Sequence, residues 1–428
     1  MTPRWPLSRR QFLGRALTLA GAACVGADLW GQTSRPGEAA PGAGVTWDER
    51  AFARYLEYER ERVARSVADA RALAGAKVNA VPDYDRTLER VLLTLRHPKL
   101  ARLFRELVAA LPSYTEVIVV GPTENAARGW QSDLDGALGR RVKIVEAAES
   151  SFVEVWAQDV LERVTADGAG ALVLPLFYRY LSADLPRSSP QQGRTNVDGV
   201  GHGLQSVTGE RAYLAPVFFQ GGDVAFDRLD DQAVVFTSAN TVVDTQRYYR
   251  QVLGEERGAD AILRRFGQIF GVSRVELLAE QESRLLTLHI DQNCCLLPGR
   301  VALVTRLVQD KSSQRPLAPT AEIEFEVRRC DSVRSKLAAL NYRIVDIEVT
   351  PAQLSASQIA LNGIPFRERE SGQRTFLMPT WKNLSPVEAS LQAANVSRVA
   401  ALGIEPRLVL EEFHAGGGNL HCAVNVLS

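Results

Sequence analysis

Residues 213–240, YLAPVFFQGGDVAFDRLDDQAVVFTSAN, decide the architecture. The runs 213–219 and 233–237 are dense in β-branched and aromatic residues and are separated by Gly-Gly and Asp-Asp pairs, so both read as strands. A helical pattern follows over 244–269, and Val275-Glu276-Leu277-Leu278 reads as a further strand. The order strand, strand, helix, strand then recurs. Segment 286–306 with a helix at 333–340 and a strand at 342–349 is a second instance. A third, less complete, has a strand at 375–377, a helix at 386–402 and a strand at 407–410. Strands expected at 115–120, 141–145, 171–177 and 301–304, and a helix at 124–138, keep the alternation going. Strands alternating with helices imply an α/β fold, and the recurrence implies a repeated ββαβ module. An ordinary two-domain α/β chain would show a similar texture. Upstream, Phe52, Tyr55, Leu56, Val63 and Val67 recur at helical spacing among charges, giving an amphipathic helix over 47–75. A second helical stretch is expected over 84–111.

Composition narrows the function. The 428 residues carry 50 basic and 50 acidic side chains, with 46% hydrophobic and 23% charged content. That balance excludes disordered and fibrous chains and a nucleic-acid binder working by bulk charge. The zero net charge sums two unlike parts. Residues 1–44 hold five arginines against Asp28 and Glu38, so the 384 residues that follow carry a net charge of −3. Ser8-Arg9-Arg10-Gln11-Phe12-Leu13 precedes a short apolar run and a small-residue stretch near Val25-Gly26-Ala27. This resembles a twin-arginine export signal over 1–31, and implies the export machinery as a partner and a periplasmic or secreted location. Residues 32–44, rich in Gly, Pro and Ala, read as a linker. No later run reaches the roughly 18 apolar residues of a membrane span. The remaining organisation is a helical extension over 45–112 and an α/β domain over 113–428.

Four cysteines follow the signal: Cys294, Cys295, Cys330 and Cys422. That is too sparse for a disulfide framework, and no CxxC or HxxxH spacing suggests structural zinc. Cys294 and Cys295 read as small core residues of a strand. Cys422 differs, because Gly416-Gly417-Gly418 precedes it, a place for a tight turn or close approach to a ligand. It reads either as a buried structural thiol or as a nucleophile at the floor of a cleft. In a strand, His289 and Asp291 would project from one face, and Trp156-Ala157-Gln158-Asp159 adds an aromatic residue and another carboxylate. Together a thiol, an imidazole and two carboxylates suit chemistry on a guanidinium. Carboxylates bind that planar cation through paired hydrogen bonds, the imidazole moves protons near neutral pH, and a thiolate attacks carbon.

At these residues the chain resembles the catalytic domain of protein-arginine deiminases, and more distantly the guanidino-modifying (pentein) superfamily. The match rests on Trp156-Ala157-Gln158-Asp159, His289-Ile290-Asp291 and His421-Cys422-Ala423-Val424-Asn425 in that order. The resemblance implies a pseudo-fivefold α/β propeller of ββαβ modules. It also implies Cys422 as nucleophile, His289 as general acid and base, and Asp159 and Asp291 as guanidinium-binding carboxylates. Trp156 would flank the substrate, with Gln158, Asn425, Arg187 and Arg194 as further substrate contacts. No organic cofactor is implied. One calcium site is, formed by Gln158, Glu162 and Asp223 with the carbonyls of Phe219 and Gly222, although Val160 stands where an acid for a neighbouring calcium would be.

The substrate clues divide. Gln158 and the Asn three residues after Cys422 resemble the protein-arginine branch, whereas the glycine run resembles the small-molecule deiminases. The expected substrate is an arginine-containing peptide or protein. A small guanidine such as free arginine or agmatine, handled by a deiminase or an amidinotransferase, stays open. So does a non-catalytic exported guanidinium-binding protein. A cysteine peptidase fits less well, since two extra carboxylates suit a cation rather than an amide.

Overall fold

The amphipathic pattern near the N-terminus folds as helix α1 (Glu49–Ala74), leading to strand β1 (Val78–Ala80). The computed structural model describes residues 49–94, 104–121, 142–146, 156–176, 197–280, 289–308, 320–412 and 418–427. The expected export signal, the linker, the helix at 124–138, Arg187 and Arg194 lie outside the described residues. No helix among the described residues is long and apolar enough to cross a membrane.

The helix expected over 84–111 is corrected. A 3-10 turn (Asp83–Asp85) is followed by strand β2 (Arg90–Thr94), and only Arg105–Ala110 (α2) is α-helical. The reason lies in burial on both faces, since Val91, Leu92 and Leu93 are all fully buried. Such a strand carries no alternation, and a continuous apolar run cannot be told from a buried helix by periodicity. Residues 78–94, placed by sequence in a helical extension, supply strands to two sheets.

β2 pairs parallel with β3 (Glu116–Gly121), and β3 pairs parallel with β4 (Val142–Glu146). Next come β5 (Glu162–Ala166) and β6 (Ala169–Leu174), an antiparallel pair, then α3 (Val197–Thr208) and β7 (Arg211–Leu214), which returns parallel to β6. β1 adds antiparallel to β5. The same plan repeats with β8 (Ala225–Leu229), β9 (Gln232–Ser238), α4 (Ala239–Leu253), α5 (Ala259–Ile269) and β10 (Arg274–Ala279). A third instance has β11 (Cys294–Leu297), β12 (Val301–Leu307), α6 (Thr320–Ala339) and β13 (Arg343–Val349). After the short helix α7 (Pro351–Ser355) comes the fourth: β14 (Ile364–Arg367), β15 (Arg374–Thr380), α8 (Pro386–Ala400) and β16 (Glu405–Leu410). Finally α9 (Leu420–Ala423) leads to β17 (Asn425–Val426), which pairs antiparallel with β2. The chain's last strand thus completes its earliest parallel sheet.

Two expectations from the deciding stretch shift. Only Tyr213 and Leu214 of the run at 213–219 are strand, as the end of β7, and that strand ends one module rather than opening the next. The expected helix over 244–269 is two helices, because Gly254 adopts φ 71° and caps α4 with its N–H on Arg250. A left-handed cap of this kind ends a helix, and glycine adopts it without a Cβ clash.

The repeat also aligns the turns that open each antiparallel pair. Three residues before β5, β8, β11, β14 and β17 stand Asp159, Gly222, Asp291, Leu361 and Cys422. One backbone position therefore carries two carboxylates and the thiol. The module containing β2 is held by apolar packing: Leu93 is fully buried in a cluster with Phe104, Leu107, Val117 and Val119. Leu93→Ala should cost about 2–5 kcal/mol in chemical denaturation. A cost below about 1 kcal/mol would contradict the placement of β2 in the core.

Candidate active site

The site is assembled from the module-opening turns, so each side chain inherits its position from the strand behind it. Asp159 lies on the 3-10 turn Ala157–Val160, Asp291 on Ile290–Gln292, and Cys422 on α9. His289 immediately precedes the second of these. All four are buried, with Asp291, at 9% exposure, the most open.

Sequence-distant groups converge here. Cys422 Sγ lies 3.4 Å from Asp291 Oδ2, across 131 residues of chain. His289 Nδ1 is 3.5 Å from Asp159 Oδ1, and its Nε2 meets the Gln220 side-chain oxygen. Ligand atoms of His289, Asp291 and Cys422 all lie within 4.8 Å of one another. Gly222 makes this possible, because a Cβ there would stand 2.6 Å from His289 Nδ1 and 3.1 Å from Asp291 Oδ2. Its N–H instead donates to Asp159 Oδ1 at 3.4 Å. Trp156 walls the thiol: a Cβ on Gly418 would come within 2.9 Å of both the indole and the Cys422 Cβ. The glycine before the cysteine is therefore needed for close approach.

Electrostatically the site is poised for a cation. Burial pushes the Cys422 thiol well above its usual range, and the Asp291 and Asp159 carboxylates add to the effect. Asp291 Oδ1 is buried with no hydrogen-bond partner among the described residues, while Oδ2 is held by His421 Nδ1 at 2.9 Å. A buried carboxylate oxygen without a donor is costly, and a bound N–H donor would relieve that cost. The trio His289, Asp291 and Cys422 also matches the donor types of a borderline metal such as zinc.

Other expected residues serve the scaffold. Gln158 Nε2 donates to Glu162 Oε1 at 3.0 Å, and Asn425 Nδ2 donates to the carbonyls of Leu161 at 2.7 Å and Gln158 at 3.4 Å. Both amides thus tie turns together. The oxygen donors expected for calcium do not fit that ion. Glu162 Oε2 faces the Arg86 guanidinium at 3.3 Å, so a cation already sits against it. Asp223 is spent on Ser238 Oγ at 2.6 Å and the Ile290 N–H at 3.1 Å. Burial holds the Glu162 carboxyl up at about 8 against the pull of Arg86, and burial raises Asp223 to about 6. Carboxyls so engaged do not form the open oxygen cage that calcium requires.

Sequence reasoning missed Asn362. Its Nδ2 donates to the Asp291 carbonyl at 3.2 Å, and its Oδ1 accepts from the N–H groups of Asn419 at 3.2 Å and Cys422 at 3.4 Å. It clamps the turn of the thiol to the turn of the carboxylate. The available signal was positional, since Asn362 opens the β14 module as the other turns open theirs. Gln220 and His421 were likewise not assigned roles.

Because Asp159 adds to the negative field on the thiol, Asp159→Asn should lower the pH at which Cys422 becomes reactive. The rate of alkylation by iodoacetamide as a function of pH measures this. A profile unchanged or moved to higher pH would contradict the geometry.

No protein-family profile matches the chain, and no curated protein matches it in sequence. Solved structures do match it. C. jejuni agmatine deiminase superposes with a TM-score of 0.55 at 14% identity, covering 82% of this chain and 96% of its own. A Cys-to-Ser variant of that enzyme with substrate bound gives 0.57 at 13% identity, with the same coverage. A protein provisionally assigned as a peptidyl-arginine deiminase gives 0.53 at 13% identity, covering 81% of this chain and 98% of its own. The chain has the mixed α/β fold of the guanidino-group deiminases.

Proposed function

We propose that the chain is a hydrolase that deiminates the guanidinium of arginine, in peptides or proteins, to a ureido group and ammonia. The observation that carries this reading is the convergence of Asp159, Asp291 and His289 on the Cys422 thiol, with one Asp291 oxygen left without a donor. Two buried carboxylates around a thiol are unfavourable until a planar cation enters between them. In this reading the five sheets stand around a pseudo-fivefold axis, with their opening turns forming the floor of the cleft.

The chemistry follows from the placement. The guanidinium donates N–H groups to Asp159 and to Asp291 Oδ1, with Trp156 against the thiol turn. Its positive charge offsets the carboxylates that hold the Cys422 proton, so when substrate binds that proton passes to His289 and leaves the thiolate. Sulfur bonds to the central carbon, and the C–N bond to a terminal nitrogen breaks as His289 gives that nitrogen a proton, releasing ammonia. A water then attacks the thiouronium carbon and gives its proton to His289. The C–S bond breaks, leaving the ureido product and free Cys422. The chemistry draws on no organic cofactor and no calcium. The signal-like N-terminus favours action on peptides outside the cytoplasm. A second reading, a small guanidine such as agmatine, is favoured by the glycine run before Cys422 and the likeness to agmatine deiminase.

The test gives the full chain peptidyl-arginine, free arginine and agmatine, with and without a chelator, and measures ureido product and ammonia. Turnover of peptidyl-arginine is expected, unchanged within about twofold by chelation. Cys422→Ala should lose at least about a thousandfold in kcat with an unchanged melting temperature. Full activity in that variant would sink the mechanism, and binding without product would identify a guanidinium receptor.

A further inference from the structure

Behind the thiol, carboxyl and cationic groups alternate in a single line, all buried except the part-exposed Asp83. Glu162 Oε2 faces Arg86 Nη2 at 3.3 Å, and Arg86 Nε faces Asp83 Oδ1 at 3.3 Å. Asp83 Oδ2 faces His421 Nε2 at 3.6 Å, and His421 Nδ1 meets Asp291 Oδ2 at 2.9 Å. Arg86 is fixed further by the carbonyls of Val426 at 3.0 Å and Val81 at 3.2 Å. The line thus runs from the first residue of β5, through the segment before β2, to the Asp291 carboxylate.

We propose that Asp83 and His421 are positioning residues that grip Asp291 by Oδ2 alone and leave Oδ1 free for the substrate guanidinium. This rests on the deiminase reading above and deepens it. A carboxylate gripped on both oxygens could not receive substrate, and one gripped on neither would turn toward any donor. His421 is suited to the task because its two ring nitrogens are spoken for on opposite sides, which fixes the plane of the ring. Burial lowers its basicity, but Asp291 and Asp83 outweigh burial and raise it to about 10, so it stays a cation at neutral pH. Asp83 is held below its ordinary value by Arg86 and His421, against the partial burial that opposes them. The segment before β2 therefore belongs to the site, although it lies more than 200 residues from Asp291 in sequence.

Two substitutions separate the nitrogens of His421. Asparagine places an amide near Nδ1, and glutamine places one near Nε2. His421→Asn keeps the donor to Asp291 and should retain kcat within about fivefold of the wild type. His421→Gln keeps the contact to Asp83, and its kcat should fall by about a hundredfold with KM changed far less, since the cation still binds while its orientation is lost. Asp83→Asn should cost about fivefold in kcat alone but under twofold in the His421→Asn background, where the link is already cut. Melting temperatures are recorded for each. Wild-type kinetics in His421→Gln, or equal losses in both folded His421 variants, would overturn the proposal. If His421→Gln does not fold, Asp83→Asn decides, and unchanged kinetics there overturns it. A wild-type chain that makes no ureido product from any guanidine overturns the deiminase reading instead.

Discussion

The structure turns on the burial of Asp159 and Asp291 beside a thiol. An ionised carboxylate removed from water costs several kcal/mol unless hydrogen bonds and opposite charge compensate it. Asp291 receives that compensation on one oxygen only, from His421, and the other stays without a donor among the described residues. Asp159 is steadied by the Gly222 N–H and faces His289. In the proposed reading the two form a receptor for a planar cation, and the same field keeps the thiol protonated until that cation arrives.

The repeated module explains how such a cluster is built without strain. Each antiparallel pair begins with a turn, and in three modules the same turn position carries Asp159, Asp291 or Cys422. A fourth module presents Gly222 there, which gives the imidazole room. The remaining one presents Leu361, and its next residue, Asn362, clamps the turns of Cys422 and Asp291 together. The scaffold repeats while the chemistry differs, so function comes from the side chains on the turns rather than from the fold itself.

Much of this was legible in the sequence where the physical signal is local. Strands such as 233–237 and 301–304 announce themselves by β-branched residues, and Ser385-Pro386 with Glu388 marks the start of α8 by its capping box. β2 was not legible, because its residues are buried on both faces and carry no alternation. Nor was the closing sheet, whose β17 and β2 are joined across almost the whole chain. Cys422, His289, Asp159 and Asp291 could be grouped through resemblance, but their contacts could not be read. The Asp83–His421 and Asn362–Cys422 partnerships are properties of three-dimensional closure, and no spacing rule reports them.

The claim that Cys422 attacks a guanidinium held between the two carboxylates is open to direct observation. Acid quenching of the wild-type chain during the first turnovers of peptidyl-arginine should trap the covalent intermediate, since the thiouronium bond no longer hydrolyses once the protein is denatured in acid. Mass spectrometry should then find the chain heavier by the substrate less one ammonia, with the added mass on the peptide that contains Cys422. An adduct on another residue, or ureido product formed by a Cys422→Ala chain, would contradict the account.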